Sequence, residues 1–492
     1  MSGSTFPISI GLDFGTYQTK ACVRFKRAAN MPAEYHFVPL NPLADGLDAH
    51  LLPSVISETA DEHFIYGRQL DDARFTFSFF KIASAEDEEF RLDIKASQPK
   101  YDPSRFKPYT PEFLAVVYLA DVIRKIKGYI VNDLKPGKQK TERKGFLARF
   151  QASQDESLTY EWTIQMGVPT EYQQRYNALR KRKFQQILYM ALELSEITGI
   201  ETWTAGELQL EVDRIFENLL TAFNLKSVRE VDQRDWNALL DTKRISVFPE
   251  TAAGLHFLVR TNKLTKDKYY LALDIGGGST DVSFFKVEAN NTFTYLASKS
   301  VMVASNDIGL QMFGADMRLT DLREKLLKNL SKPGIQRSKT YTKAFNWVQQ
   351  NINRQVYRMF NSQVYFRSQK LNATAIYKDT YCYIYGGGAL MPIADPNPER
   401  YLQRILIHDN GVRDSFTAEQ THVHVQPIRE LQISESVHPA NWQQKMDFLI
   451  VPLGLSLAMS DEITTQLTED FYRKEDLKTP TGLFDVSAAR WV

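Results

Sequence analysis

Apolar residues gather along the chain in short runs that end in glycine turns, and longer stretches with helical spacing lie between them. Four runs read as buried strands: Ile8 to Gly15, Trp162 to Val168, Tyr269 to Gly278 and Tyr381 to Gly388. Lys20 to Phe25 and Val282 to Val287 read as the return arms of hairpins that begin in the first and third runs. Apolar residues three and four apart predict helices over Pro111 to Ile130, Tyr172 to Leu194, Ala205 to Asn224 and Thr320 to Leu330. Strands alternating with helices give an α/β class built on largely buried sheets. The strand–turn–strand pattern occurs twice, over 8–25 and 269–287, and Asp13-Phe14-Gly15-Thr16 parallels Asp274-Ile275-Gly276. We read this as an internal duplication whose halves each present a glycine turn to a shared cleft.

Two stretches interrupt the pattern and read as insertions. Val131 to Glu161 is polar and opens with Lys135, Lys138, Lys140, Arg143, Lys144 and Arg149; Ser195 to Lys243 is helical and carries Trp203 and Trp236. Segments of this length commonly carry partner contacts, so an unidentified protein partner is expected there. The 492 residues suit about three domains or one large two-lobed body. Lys and Arg number 60 against 59 Asp and Glu, and this balance argues against a nucleic-acid-coating surface. Cys22 and Cys382 lie in separate apolar runs and read as reduced, buried thiols. The longest apolar run, Phe448 to Met459, is broken by Pro452 and Gly454 and is too short to cross a bilayer. With an N-terminus that lacks signal-peptide character, the expectation is a cytoplasmic protein without membrane association. His422 and His424 alternate along a strand-like run and read most simply as surface histidines.

The glycine turns carry the candidate chemistry. Glycines at a strand end let the backbone approach a ligand and aim successive N–H groups at it. Thr16, Ser279 and Thr280 would add hydroxyl donors to phosphate oxygens. Asp13 and Asp274 would repel phosphate unless a Mg²⁺ ion, with retained waters, lies between. Two such turns face to face would clamp the phosphates of a nucleotide.

At this point the ordered motifs resemble a family, the actin, hexokinase and heat-shock-chaperone ATPase superfamily. Gly11 to Thr16 resembles its first phosphate motif and Leu273 to Ser283 its second. Phe248-Pro249-Glu250 through Gly254 resembles its first connecting helix, and Gly386-Gly387-Gly388 through Pro392 its adenosine motif. Val451 to Ala458 resembles its second connecting helix. Within that superfamily the closest resemblance is to the nucleotide-binding domain of the 70-kilodalton heat-shock chaperones. Leu52 to Ile56 with Ile65 to Arg68 looks like its small-lobe strand and helix start, and Lys81 falls at its catalytic lysine. Gly167 to Tyr172 looks like its proline-switch segment, and Asn306 to Phe313 like the turn after its second hairpin.

The resemblance implies a two-lobed actin-like ATPase fold made of duplicated ribonuclease-H-like domains, with a nucleotide cleft between lobes. Lobe I would span 1–250, with a small subdomain at about 46–112 and insertions at about 131–161 and 195–243. Lobe II would span 251–445, with a small subdomain at about 311–374; 446–492 would be a helix returning to lobe I and a polar tail. It implies ATP or ADP with Mg²⁺ held through water by Asp13 and Asp274. Gly15, Thr16, Tyr17, Gly276, Gly277, Gly278, Ser279 and Thr280 would bind phosphate, and Gly386, Gly387 and Gly388 adenosine. Lys328, with Glu324 and Ser331, mimics the chaperones' adenine-binding helix. Lys81 and Glu250 would be catalytic, the first neutralising charge at the γ-phosphate and the second orienting water during hydrolysis to ADP and phosphate. Two departures stand out: Tyr17 replaces a second Thr, and Pro249-Glu250 reverses the chaperones' Glu-Pro order. Only Ser460 to Val492 follows, so the expectation is a chaperone-like ATP switch that lacks the peptide-binding domain and acts through a partner. The alternative is an actin-like, self-assembling filament ATPase.

Overall fold

A computed structural model of the protein describes residues 5–28, 30–85, 103–136, 159–170, 178–223, 233–260, 264–289, 293–314, 319–330, 332, 338–359, 379–386, 422–427, 436–457 and 465–467. The structure is mixed α/β. In chain order it begins with β1 (Thr5–Phe14), β2 (Gln18–Phe25), β3 (Glu34–Phe37), β4 (Leu52–Pro53), β5 (Val55–Glu58), β6 (Phe64–Tyr66) and β7 (Phe75–Ser78). Then follow α1 (Phe80–Ala85), α2 (Pro111–Tyr129), β8 (Thr159–Val168), α3 (Ala178–Ser195), α4 (Ala205–Ala222), α5 (Gln233–Lys243), β9 (Ile245–Pro249) and α6 (Glu250–Arg260). Next are β10 (Lys268–Ile275), β11 (Thr280–Val287), β12 (Phe293–Val301), α7 (Ser305–Phe313), α8 (Leu319–Leu330) and α9 (Lys339–Met359). The last described elements are β13 (Asp379–Tyr385), β14 (His422–Pro427), β15 (Ser436–His438), α10 (Met446–Leu455) and β16 (Thr465–Leu467).

Two large sheets share one design. The first runs β15-β3-β2-β1-β8-β9 and the second β14-β13-β10-β11-β12-β16. In the first, β1–β2 and β2–β3 are antiparallel while β1–β8 and β8–β9 are parallel. The second repeats this at the equivalent places: β10–β11 and β11–β12 antiparallel, β10–β13 and β13–β14 parallel. Five strands thus recur with the same order and directions. A third, small sheet, β6-β5-β7, leads into α1.

Strand alternation decides which side chains meet. Ile8, Ile10, Leu12 and Phe14 of β1 enter a core with α2, α3, α4 and α5, so Gly11 and Asp13 point to the opposite face. On β10, Leu271 and Leu273 enter a core with α7, α8 and α9, so Ala272 and Asp274 face the other way. Between the sheets lies a third core of α6 and α10 residues, Leu255 and Leu449 among them, with Tyr35 and Phe37 from one sheet and Tyr270 and Tyr383 from the other. Both aspartates therefore turn toward the helical layer shared by the two sheets.

That layer is drawn tight by glycine. A Cβ at Gly454 would lie 1.7 Å from the Ala253 carbonyl oxygen, and one at Gly11 would lie 2.2 Å from that of Pro452. Backbone meets backbone where α10 crosses α6, and again where it crosses β1. Phe448 to Leu457, read as an apolar run, is buried on all sides because it occupies this middle layer.

The helices carry their own signals. On α4, Thr204 and Glu207 form a capping box, and Ala205, Leu208, Val212, Ile215 and Leu219 are buried at helical spacing. Trp236 of α5 is fully buried and its Nε1 donates to Gln185 Oε1 at 2.9 Å. The described part of Ser195 to Lys243, expected as an inserted segment, thus packs into the first core through its apolar stripe. The predicted helix at Tyr172 is described from Ala178 onward. No helix begins at Arg68: Gly67, at φ 75°, ends β6, and the chain turns into β7. Among the described residues, no helix is long and apolar enough to cross a membrane.

Candidate functional site

The two hairpin turns meet. A Cβ on Gly277 would lie 2.5 Å from Tyr17 Cβ, and one on Gly278 would lie 2.5 Å from Thr16 Cγ2. Beside this contact is a cavity of about 60 Å³. Its walls include Asp13, Thr16, Tyr17 and Lys20 from the first hairpin and Asp274, Gly276, Gly277, Ser279 and Asp281 from the second. Lys81, Glu250, Gly386 and Asp447 complete the ring of polar positions.

Each side chain arrives by a local rule. Asp13 and Asp274 end their strands on the inward face. Glu250 is the first residue of α6, where the helix dipole favours a carboxylate. Lys81 lies in the first turn of α1, behind Phe79, which adopts φ 63°. A non-glycine residue in that region is held by its surroundings, here a cluster of Phe79 and Ile82 with Tyr17 and Met302 against it. Phe80 packs near Phe14 and Tyr118 and anchors the same turn. Gly386 adopts φ 83°, and a Cβ there would lie 2.4 Å from Asp274 Oδ1, so only glycine lets the end of β13 pass.

Charge in the cavity is unbalanced. Asp13, Glu250, Asp274, Asp281 and Asp447 share it with Lys20 and Lys81. Lys20 pairs with Asp13, while Lys81 Nζ donates to Glu250 Oε1 at 2.6 Å, both side chains being buried. The registers make the two hairpins equivalent, with Asp13 opposite Lys20 in one and Asp274 opposite Asp281 in the other. The second hairpin has a carboxylate where the first has an ammonium. Burial, then the charges of Glu250 and Asp13, push the Asp274 carboxyl up to about 7. Burial, then Glu250 and Asp274, push Asp281 well above the carboxylate range. Burial works against the Lys81 charge, yet Glu250 and Asp13 more than offset it and hold the ammonium above its usual value.

Several buried polar atoms here lack partners. Asp281 Oδ1 and both ends of the Asn306 amide have none, although the Asn306 backbone N–H donates to Gly277 O. Such atoms carry a desolvation cost that a bound cation or polar ligand would relieve. The carboxylate excess suits a hard divalent cation held through water. The volume has room for a few waters.

No protein-family model matches the chain, and no curated protein is recognisably similar to it.

Of the residues singled out from sequence, Asp13, Gly15, Thr16, Tyr17, Lys81, Glu250, Asp274, Gly276, Gly277, Ser279 and Gly386 line the cavity. Gly278 touches Thr16 but lies outside the lining. Thr280 corrects the expectation of a phosphate donor: it is fully buried and its hydroxyl donates to Val303 O at 2.8 Å, tying the turn to the chain after β12. Lys328 is exposed on α8 and is not part of the cavity wall. Gly387, Gly388 and Ser331 lie outside the described residues, as do the side chains of His422, His424 and Glu324. Sequence reasoning assigned no site role to Gln18, Lys20, Asp281 or Asp447, all of which line the cavity, nor to Asn306, which lies beside Gly277. Hairpin register would have found Lys20, which faces Asp13, but nothing local marks Asp447, brought in by a helix far along the chain.

Proposed function

We propose that the chain is a Mg²⁺-ATP-binding switch with the two-lobed actin-like ATPase architecture, closest in kind to the nucleotide-binding domain of the heat-shock chaperones. The observation that carries this reading is the repeat of one five-strand pattern, with the aspartate–glycine turn of each copy brought against that of the other. The α6–α10 layer supports it as the pair of connecting helices expected between lobes. The small sheet that delivers Lys81 supports the chaperone side of the comparison.

In this reading the triphosphate enters when the Thr16-Tyr17 and Gly277-Gly278 turns part. Backbone N–H groups of the two turns then hold its phosphate oxygens, and Asn306 offers an amide beside the second turn. Asp13 and Asp274 would hold a Mg²⁺ ion, which would neutralise charge on the phosphates. Lys81 keeps its positive charge and meets the γ-phosphate, and Glu250, released from Lys81, orients the attacking water. Positioning and charge neutralisation of this kind supply most of the catalysis in phosphoryl transfer.

Calorimetric titration of ATP with and without Mg²⁺, in the parent and in Asp274→Ala, tests the assignment. Mg²⁺-dependent binding in the parent, weakened at least about tenfold in the variant, is the expected result. Equal affinity in both proteins overturns it.

A further inference from the structure

At the far edge of the first sheet, β15 pairs in parallel with β3, with Ser436 opposite Glu34, Val437 opposite Tyr35 and His438 opposite His36. Tyr35, Phe37 and Val437 enter the core between the sheets. Strand alternation therefore places Glu34, His36, Ser436 and His438 together on the other face. One ligand atom each from Glu34, His36 and His438 lies within 4.8 Å of the other two.

From this cluster we infer a divalent transition-metal site, of the Zn²⁺ type, that clips β15 to β3. Two imidazole nitrogens and one carboxylate oxygen suit zinc, and they do not suit Mg²⁺ or Ca²⁺, which take oxygen ligands. Three protein ligands leave a coordination position for water.

The surroundings bring these groups together. The His36 ring stacks with Phe25 at 5.3 Å and with His438 at 4.6 Å. Because imidazole lone pairs lie in the ring plane, the exposed His438 ring turns out of this stack when both bind one ion. His36 Nε2 lies 3.1 Å from Glu34 Oε2. Arg27 donates to both Glu34 oxygens, at 2.7 and 3.1 Å, and fixes the carboxylate plane as outer partners of metal ligands do. Ser436 Oγ lies 3.1 Å from His438 Nε2. Glu34 and His438 reach solvent, which gives the ion a way in.

The position gives the clip a role separate from the cavity. Four residues after His438, the chain enters the turn Trp442–Lys445 and then α10, which supplies Asp447 and Phe448 to the cavity wall. An ion on Glu34, His36 and His438 would tie the approach to α10 onto the first sheet. This site is independent of the nucleotide reading.

The test is a Zn²⁺ titration of the full chain, nucleotide-free, against a competing chromophoric chelator. The parent should bind one equivalent at micromolar affinity or tighter, and its melting temperature should rise with Zn²⁺. His438→Ala, at an exposed position, and Glu34→Gln should each lose about 100-fold or more in affinity and abolish that rise. His422→Ala/His424→Ala should leave both unchanged. The proposal is overturned if the parent binds no equivalent tightly, if His438→Ala binds as the parent does, or if the His422/His424 variant is the one that loses the ion.

Discussion

Replacing Asp274 by asparagine should stabilise the protein and weaken its ligand binding together. Asp274 is buried beside Glu250 and Asp13, and its carboxyl is raised from 3.8 to about 7. Each unit corresponds to about 1.4 kcal/mol, so ionising this group in the folded protein costs about 4 kcal/mol more than in the unfolded chain. The folded value lies above the unfolded one, so the folded protein holds the extra proton between them and loses stability as pH rises from about 4 to about 7. The amide side chain of the variant would carry no charge at any pH. Denaturant unfolding without divalent ions should find Asp274→Asn more stable than the parent by up to about 4 kcal/mol near pH 8, with roughly half that advantage or less near pH 5. Mg²⁺-dependent ATP affinity should fall in the same variant, because the cation loses a ligand carboxylate. An advantage that does not change with pH, or a variant less stable at both values, would refute the electrostatic reasoning.

Other outcomes follow from the same geometry. Below about pH 7, parent affinity for Mg²⁺-ATP should weaken by up to about tenfold per unit as Asp274 takes up its proton, measurable by titration across the range. Lys81→Ala should slow ATP turnover by about 10²–10³. It should also destabilise the nucleotide-free protein by about 3–5 kcal/mol by leaving Glu250 buried and unpaired, and Lys81→Met/Glu250→Gln should recover much of that loss in denaturant unfolding. Gly454→Ala should cost about 3 kcal/mol or more, because the atom it meets is backbone and cannot rotate away; a melting curve like the parent's would contradict the close crossing. Thr204→Ala, far from the cavity, should cost only about 1 kcal/mol and leave nucleotide affinity unchanged.

The glycine-ended strands and the helical spacing were legible because each is a local pattern. Ile8, Ile10, Leu12 and Phe14 alternate, and that parity alone sends Asp13 inward. The repeat of Asp13-Gly15 in Asp274-Gly276 located both walls of the cavity. What the sequence did not reveal depends on where distant segments land. Thr280 looks like a phosphate donor in its motif, but its hydroxyl meets Val303 only because the chain after β12 returns beneath the turn. Ser195 to Lys243 looked like an insertion because it interrupts the run of strand-ended turns, yet Leu208, Val212 and Trp236 are buried in the first core. Asp447, and the pairing of His36 with His438, arise from contacts across some four hundred residues that no local pattern announces.

The crossing of α6 and α10 sets how a movement at one end would reach the other. With the Ala253 carbonyl against Gly454, no side chain stands between the helices to act as a bearing surface for sliding. A rotation that kept this contact would be a turn about the touching point, as in a pair of scissors. At 1.5 Å per residue, Glu250 sits about 4.5 Å from that pivot and Asp447 about 10 Å from it. A turn of about 10° would shift Glu250 by about 0.8 Å and Asp447 by about 1.8 Å. The first displacement would lengthen the 2.6 Å contact with Lys81 to at most about 3.4 Å, which weakens it. Missing atoms at one glycine would thus convert a small angular change between the sheets into the tightening or stretching of a single ion pair.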